Sequence, residues 1–251
     1  MEVALYPFEY MRITQRHDEG NHLKHWNPTP NPFYTDKPWD EACLDSGKSY
    51  FVPQNDFKVI EKLGNQKTGC SVRLESVNKL KIPKEKEPIK LELTLTHMNE
   101  ENFNKVKEGQ ILKKGSKILM EGTSGSASGN HFHCTVNVGG YSGFIKNSNG
   151  KYVFAYKKSL LPNEAFYVDT TKTQILNSKK YNFIGVNYKK GMRSTEVSNI
   201  DDFLATKIRG DIFGDYTSES LKVFQQKEDL KATGEVDLKT FERLLEKGAK
   251  L

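Results

Sequence analysis

Between Phe132 and Val138 the chain alternates strictly. Phe132, Cys134, Val136 and Val138 are apolar, while His133, Thr135 and Asn137, with His131 just ahead, are polar. A period of two reads as a β-strand with an apolar back and a polar front. The segment that feeds it, Gly122-Thr-Ser-Gly-Ser-Ala-Ser-Gly129, is a Gly/Ser loop. The imidazoles of His131 and His133 flank Phe132, project the same way and can share a metal or a water. An H-x-H pair alone also fits two surface histidines on an edge strand. The chain has six histidines, so the setting of the others decides.

At 251 residues the chain has room for one or two domains and a sizeable core. No run approaches the roughly 18 apolar residues of a membrane span, so no membrane insertion is expected. The start, Met1 to Glu9, shows no basic segment followed by an apolar one. The expectation is a protein without a signal peptide, made in the cytoplasm and acting elsewhere only after release. A net charge of +6 favours acidic partners, either nucleic acid or an anionic envelope polymer such as teichoic acid. The lysines are scattered without an Arg-rich stripe, which argues against nucleic acid. Cys43, Cys70 and Cys134 form an odd set without C-x-x-C spacing, so neither a disulfide framework nor a thiolate metal site is indicated. Cys134 shares the apolar strand face and reads as core.

His17, His22 and His25 precede a run of carboxylates that includes Asp36, Asp40, Glu41 and Asp45. Imidazole with carboxylate and no thiolate suits zinc in a catalytic role, although most of these charges also fit a polar surface loop. From Val59 to Leu95 the pattern is β, with a turn over residues 64–69. Counting by two from Ile89 lands on His97, at a strand end, where loops present functional groups. Residues 106–118 read as two short strand-and-turn units. Further short strands are expected over Lys151–Tyr156, Glu164–Val168 and Tyr181–Val186. After Arg193 the period becomes 3.6, with Ile200, Phe203 and Leu204 on one face, then Leu221, Phe224 and Gln225, then Phe241, Leu244 and Leu245. Thr217 and Asp237 are candidate N-caps and Gly248 follows the last helix. The expected division is 1–188, a linker at 189–196, and a helical domain at 197–251.

Two resemblances follow from these residues. Gly122-x-x-Gly125-x-x-x-Gly129-Asn-His131-Phe-His133, preceded by Thr94-Leu-Thr-His97-Met and by Val106-x-x-Gly109-Gln-x-x-x-x-Gly115, resembles the lysostaphin-type, LytM-like M23 zinc metallopeptidases. Ile212-Phe-Gly214-Asp-Tyr-Thr217, with Leu221, Phe224-Gln225, Thr233-Gly234, Asp237 and Leu244, resembles the three-helix peptidoglycan-binding domain of cell-wall hydrolases. The two are independent and imply one substrate.

The resemblance implies a multidomain α+β protein, with a mainly antiparallel β catalytic domain followed by a small three-helix domain. It implies Zn2+ as the metal and peptidoglycan as the partner. Residue by residue, His133 matches the family's ligand in H-x-H, while His131 and His97 match its two catalytic imidazoles. The family's remaining ligands usually come as H-x-x-x-D, a spacing this chain lacks. His22, after Gln15 and Gly20-Asn, and Asp40, within Trp39-Asp40-Glu-Ala, match best, with His25, Asp36 and Asp45 as alternatives. The implied activity is a peptidoglycan endopeptidase of endolysin type. An N-acetylmuramoyl-L-alanine amidase and a non-catalytic wall-binding relative are the competing classes.

Overall fold

The protein is described here by a computed structural model over residues 1–20, 22, 37–42, 49–146, 152–156, 158–176 and 181–251. His25, Asp36, Asp45 and Cys43 lie outside the described residues.

The alternating segments build one antiparallel sheet. Its strands are β1 (Ile13–Gln15), β2 (Trp39–Glu41), β3 (Phe57–Leu63), β4 (Ser71–Ser76), β5 (Glu92–Thr96), β6 (Ile111–Leu112), β7 (Phe132–Asn137) and β8 (Ser159–Leu160). The order is β1-β2-β7-β5-β4-β3-β6, and β8 shares an edge of β7 with β2. One register row decides the site: Asp40 on β2 lies opposite His133 on β7, and His133 lies opposite Thr96 on β5.

The back of the sheet is the core. Trp39, Phe57, Val72, Leu74, Leu93, Leu95 and Phe132 are buried there, against Tyr6, Phe8 and Phe51 from flanking segments. Each such side chain contributes roughly 1.5–3 kcal/mol of burial. The front is polar, as expected, but it is not open along its length. Thr135 is 4% and Asn137 1% exposed. A hairpin of Tyr141–Lys146 and Tyr152–Tyr156 brings the Tyr156 hydroxyl onto Thr94 Oγ1, and Asn137 Nδ2 donates to Glu92 at 3.3 Å. Thr94 and the Asn137 amide nitrogen thus find partners on that face, while Asn137 Oδ1 is buried without one among the described residues.

The helices are α1 (Glu100–Asn104), α2 (Pro162–Ala165), α3 (Thr195–Phe203), α4 (Asp215–Lys227) and α5 (Leu238–Glu246). The expected strand Glu164–Val168 begins inside α2, because Pro162 opens that turn and the Glu164 carboxylate accepts the Leu161 N–H at 2.9 Å. The strand proper is Val168–Asp169, pairing in parallel with Gly185–Val186, and Tyr167 just before it bridges to Leu5. Residues 106–118 hold a single two-residue strand, β6, between turns at Gly109 and Gly115.

Asp237 caps α5 as expected, accepting the Thr240 N–H at 2.8 Å, and Gly248 follows at φ +96°. Thr217 is not the N-cap of α4. That place belongs to Gly214, and Thr217 sits three residues in, its hydroxyl accepting the Gly214 N–H at 3.4 Å. The core of the helical unit joins Ile200, Leu221, Phe241 and Leu244 to Val3, Leu5, Tyr167 and Tyr188. The rings of Tyr167 and Phe241 stand 5.1 Å apart. Among the described residues no helix is long and apolar enough to cross a membrane.

Candidate metal centre

The row across β2 and β7 sets Asp40 beside His133, and the segment after β1 brings His22 to the same place. Their ligand atoms form a nearly equilateral triangle. His22 Nε2 lies 3.2 Å from Asp40 Oδ1 and 3.2 Å from His133 Nδ1, and His133 Nδ1 lies 3.1 Å from Asp40 Oδ1. Two nitrogens and an oxygen tetrahedrally arranged around zinc at roughly 2.0–2.1 Å would stand about 3.3 Å apart, so the donor set fits that ion.

The tautomers fit too. His22 Nδ1 is 2.8 Å from the Arg16 carbonyl, which accepts its N–H and leaves a lone pair on Nε2. His22 Nε2 and Asp40 Oδ1 then meet as two acceptors, an arrangement that a shared cation stabilises. Burial pushes the Asp40 carboxyl up, but if the His133 and His22 rings carried protons toward it, their hydrogen bonds and charge would outweigh burial and hold the group well below the usual carboxylate range. Burial pushes His133 down toward neutral, against the pull of Asp40. These two directions conflict, since an anionic Asp40 favours charged rings. The neutral ring prevails, because His22 has already committed its proton to Arg16 and a dry site disfavours a second charge.

Two further imidazoles face the triangle. His97 stands one residue past β5 at φ +65°, a left-handed backbone rare outside glycine, and its Nδ1 lies 2.7 Å from the Ser124 carbonyl. His131 Nδ1 lies 2.8 Å from the Gly129 carbonyl, and its Nε2 is 3.8 Å from Asp40 Oδ1. The rings of His97 and His131 are 4.8 Å apart, and those of His97 and His133 are 5.9 Å apart. Burial pushes His97 down to about 4, reinforced by its neighbouring imidazoles and opposed by the Ser124 bond, so the ring is neutral at pH 7.

His22, Asp40, His97, His131 and His133 therefore lie together, while His17 is 3.3 Å from the Tyr181 hydroxyl. What the sequence did not mark are the backbone carbonyls of Arg16, Ser124 and Gly129, each of which orients one ring. Behind Asp40, on the core face of β2, Glu41 accepts the Tyr6 O–H and, at 2.7 Å, the Arg12 N–H. Burial raises its carboxyl to about 8 despite those bonds.

No curated protein matches the chain. Solved structures show similarity over part of it, three of them as follows. One is a zinc-containing peptidase from Vibrio cholerae, at 20% identity and TM-score 0.35, covering 61% of this chain and 39% of that one. Another is LytU, at 16% identity and TM-score 0.32, covering 61% of this chain and 86% of that one. The third is a variant of the catalytic domain of the prophage-encoded M23 protein EnpA from Enterococcus faecalis, at 19% identity and TM-score 0.32, covering 60% of this chain and 92% of that one. The helical end is matched by sequence: residues 199–244 fit the family model of a peptidoglycan binding domain, PG_binding_1.

Proposed function

We propose that the protein is a zinc-dependent endopeptidase that cuts peptide bonds in peptidoglycan, and that it acts at the bacterial wall as a lytic enzyme of endolysin type. The observation that carries this is the joining of two things in one chain. A triangle of His22, Asp40 and His133 is faced by two more imidazoles, and a peptidoglycan-binding match covers residues 199–244.

The three ligands would hold the metal through His22 Nε2, Asp40 Oδ1 and His133 Nδ1. The chemistry a bound zinc supplies is that of a Lewis acid, polarising a carbonyl and acidifying a water. The rest belongs to the chain. His97, neutral and with Nδ1 committed to Ser124, offers the lone pair of Nε2 as a proton acceptor. His131 stands beside it, and together the pair carries the proton from the attacking water to the leaving amine. The carbonyls of Ser124 and Gly129 keep both rings turned toward the reacting atoms.

The test is mass spectrometry of products from purified peptidoglycans of different cross-link types, with zinc and with a chelator. A new peptide amine that requires zinc supports the reading. A freed lactyl group makes the protein an amidase instead. No product from any wall leaves a protein that binds walls without cutting them.

A further inference from the structure

His22 differs from the other two ligands in how it is held. Asp40 and His133 face each other across β2 and β7, so the sheet fixes both. His22 follows β1 by seven residues, and the Arg16 carbonyl at 2.8 Å is what turns its ring. Arg16 is held in turn from far along the chain. Its guanidinium carbon lies 5.1 Å from the centroid of the Tyr181 ring. The Tyr181 hydroxyl lies 3.3 Å from Nδ1 of His17. Tyr181 is only 8% exposed.

The contacts continue behind the site. Tyr181 stacks edge-on to Phe183 at 6.5 Å, Phe183 meets Tyr6 at 5.4 Å, and the Tyr6 O–H donates to Glu41, the neighbour of Asp40. A row of rings thus links the turn that orients His22 to the strand that carries Asp40. The same segment then runs on to the helical unit, where the Tyr188 carbonyl accepts the Val236 N–H at 2.7 Å.

We propose that Tyr181 is a positioning residue for the metal centre: it clasps the Arg16–His17 turn so that the Arg16 carbonyl aims the His22 ring. This rests on reading His22, Asp40 and His133 as a metal site. A ring that merely filled the core would cost stability when removed but leave the ligand triangle as it was.

The experiment compares the full chain with Tyr181→Ala, Tyr181→Phe and, as a control in the helical core, Leu221→Ala. Zinc affinity is read by competition with a chromophoric chelator. Amide exchange at Glu19, whose N–H bonds the Arg16 carbonyl at 3.2 Å, is read in the metal-free protein. Tyr181→Ala should weaken zinc binding about 10-fold or more, as loss of support behind a ligand does, and should speed exchange at Glu19. Tyr181→Phe keeps the face under Arg16 and should stay within about threefold. Leu221→Ala should lower thermal stability without moving zinc affinity.

Wild-type zinc affinity and exchange in Tyr181→Ala would overturn the clasp, as would an equal zinc loss in Leu221→Ala. If Tyr181→Ala does not fold, Tyr181→Leu, which keeps the apolar contact but not the face for the cation, takes its place with the same expectations. If the wild-type chain binds no zinc, the metal reading falls. Exchange at Glu19 then decides the clasp alone: faster exchange upholds it and unchanged exchange overturns it.

Discussion

His22, Asp40 and His133 converge as donors, whereas His97 and His131 lie outside that triangle, their rings facing it. That division predicts two classes of variant. Alanine at His22, Asp40 or His133 should abolish bound zinc in elemental analysis. Alanine at His97 or His131 should leave zinc in place and lower wall lysis roughly 10²-fold or more, the usual effect of removing a positioned acid–base group. Full zinc in the first class, or normal lysis in the second, would reverse the roles. The pH dependence of stability gives His97 a second test in metal-free protein. Folded, it takes its proton only near pH 4, while an unfolded histidine does so near pH 6.5. Stability from keeping the ring neutral is therefore complete above about pH 6.5 and is lost as pH falls toward 4. His97→Asn, a residue tolerant of φ +65°, removes that pH dependence. Between those pH values the wild type should lose up to roughly 3 kcal/mol relative to the variant in urea unfolding. Parallel curves would mean the folded ring charges like an exposed one. His131 and His133 were legible because strand alternation puts them on the polar front; His97 was legible only as a strand-end residue, since alternation sets it in step with the buried Leu93 and Leu95 and its left-handed backbone at φ +65° breaks that step. His22 and Asp40 were not fixed by pattern, since an eighteen-residue interval carries no period: the His/carboxylate cluster offered them among several candidates, and only the resemblance chose them from their neighbours. The orienting carbonyls were invisible because backbone groups leave no mark in a sequence.

The loop from Gly122 to Gly129 holds both outer imidazoles, and glycine lets it sit where it does. Gly125 lies at φ +73°, and a Cβ there would come within 2.8 Å of the Gly69 Cα. Its N–H bonds the Gln66 carbonyl at 2.8 Å, while Ser124 Oγ accepts the Cys70 N–H at 2.8 Å and the Ser124 carbonyl holds His97. Gly125→Ala should push the loop away, cost roughly 1–3 kcal/mol in thermal unfolding, and lower lysis by disturbing His97. Gly115→Ala makes the comparison: φ is +81° but nothing lies within 4 Å, so about 1 kcal/mol of strain should come without loss of lysis. Equal activity in both variants would detach the loop from catalysis. Elements with long periods, such as β4, β5 and β7, were readable in the sequence. The five residues of α1 and the four of α2 were not, because one turn is too short to show a 3.6 repeat. Nor did the pattern reveal that the Tyr156 hydroxyl reaches Thr94, since a polar residue reads alike whether water or a tyrosine lies over it.

The two halves meet through side chains from both. The change of period after Arg193 marks where helices begin, but it says nothing about what their apolar stripes rest on. Val3, Leu5, Tyr167, Val186 and Tyr188 lie in one apolar cluster with the cores of α3, α4 and α5. Val3 donates its N–H to Glu242 Oε1 at 3.3 Å, and Tyr188 bridges to Val236. Cutting the chain after Tyr188 would bare those five apolar side chains. At roughly 1.5–3 kcal/mol for each side chain fully buried, and less for partial exposure, several kcal/mol of stabilisation is at stake. The full chain should therefore melt in one cooperative transition. The 1–188 fragment should melt well below it and sediment poorly with purified walls, because the wall-binding unit no longer concentrates it there. On a soluble peptide fragment, at a temperature where it stays folded, the fragment should keep its activity, since His22, Asp40, His97, His131 and His133 all precede the cut. Phe241→Ala, which removes the ring against Tyr167, should lower the melting temperature of the whole molecule and not that of a separate helical part. Two independent transitions, with 1–188 as stable alone as in the full chain, would show that the shared cluster does not couple the halves and that the helical unit is a tethered binder after all.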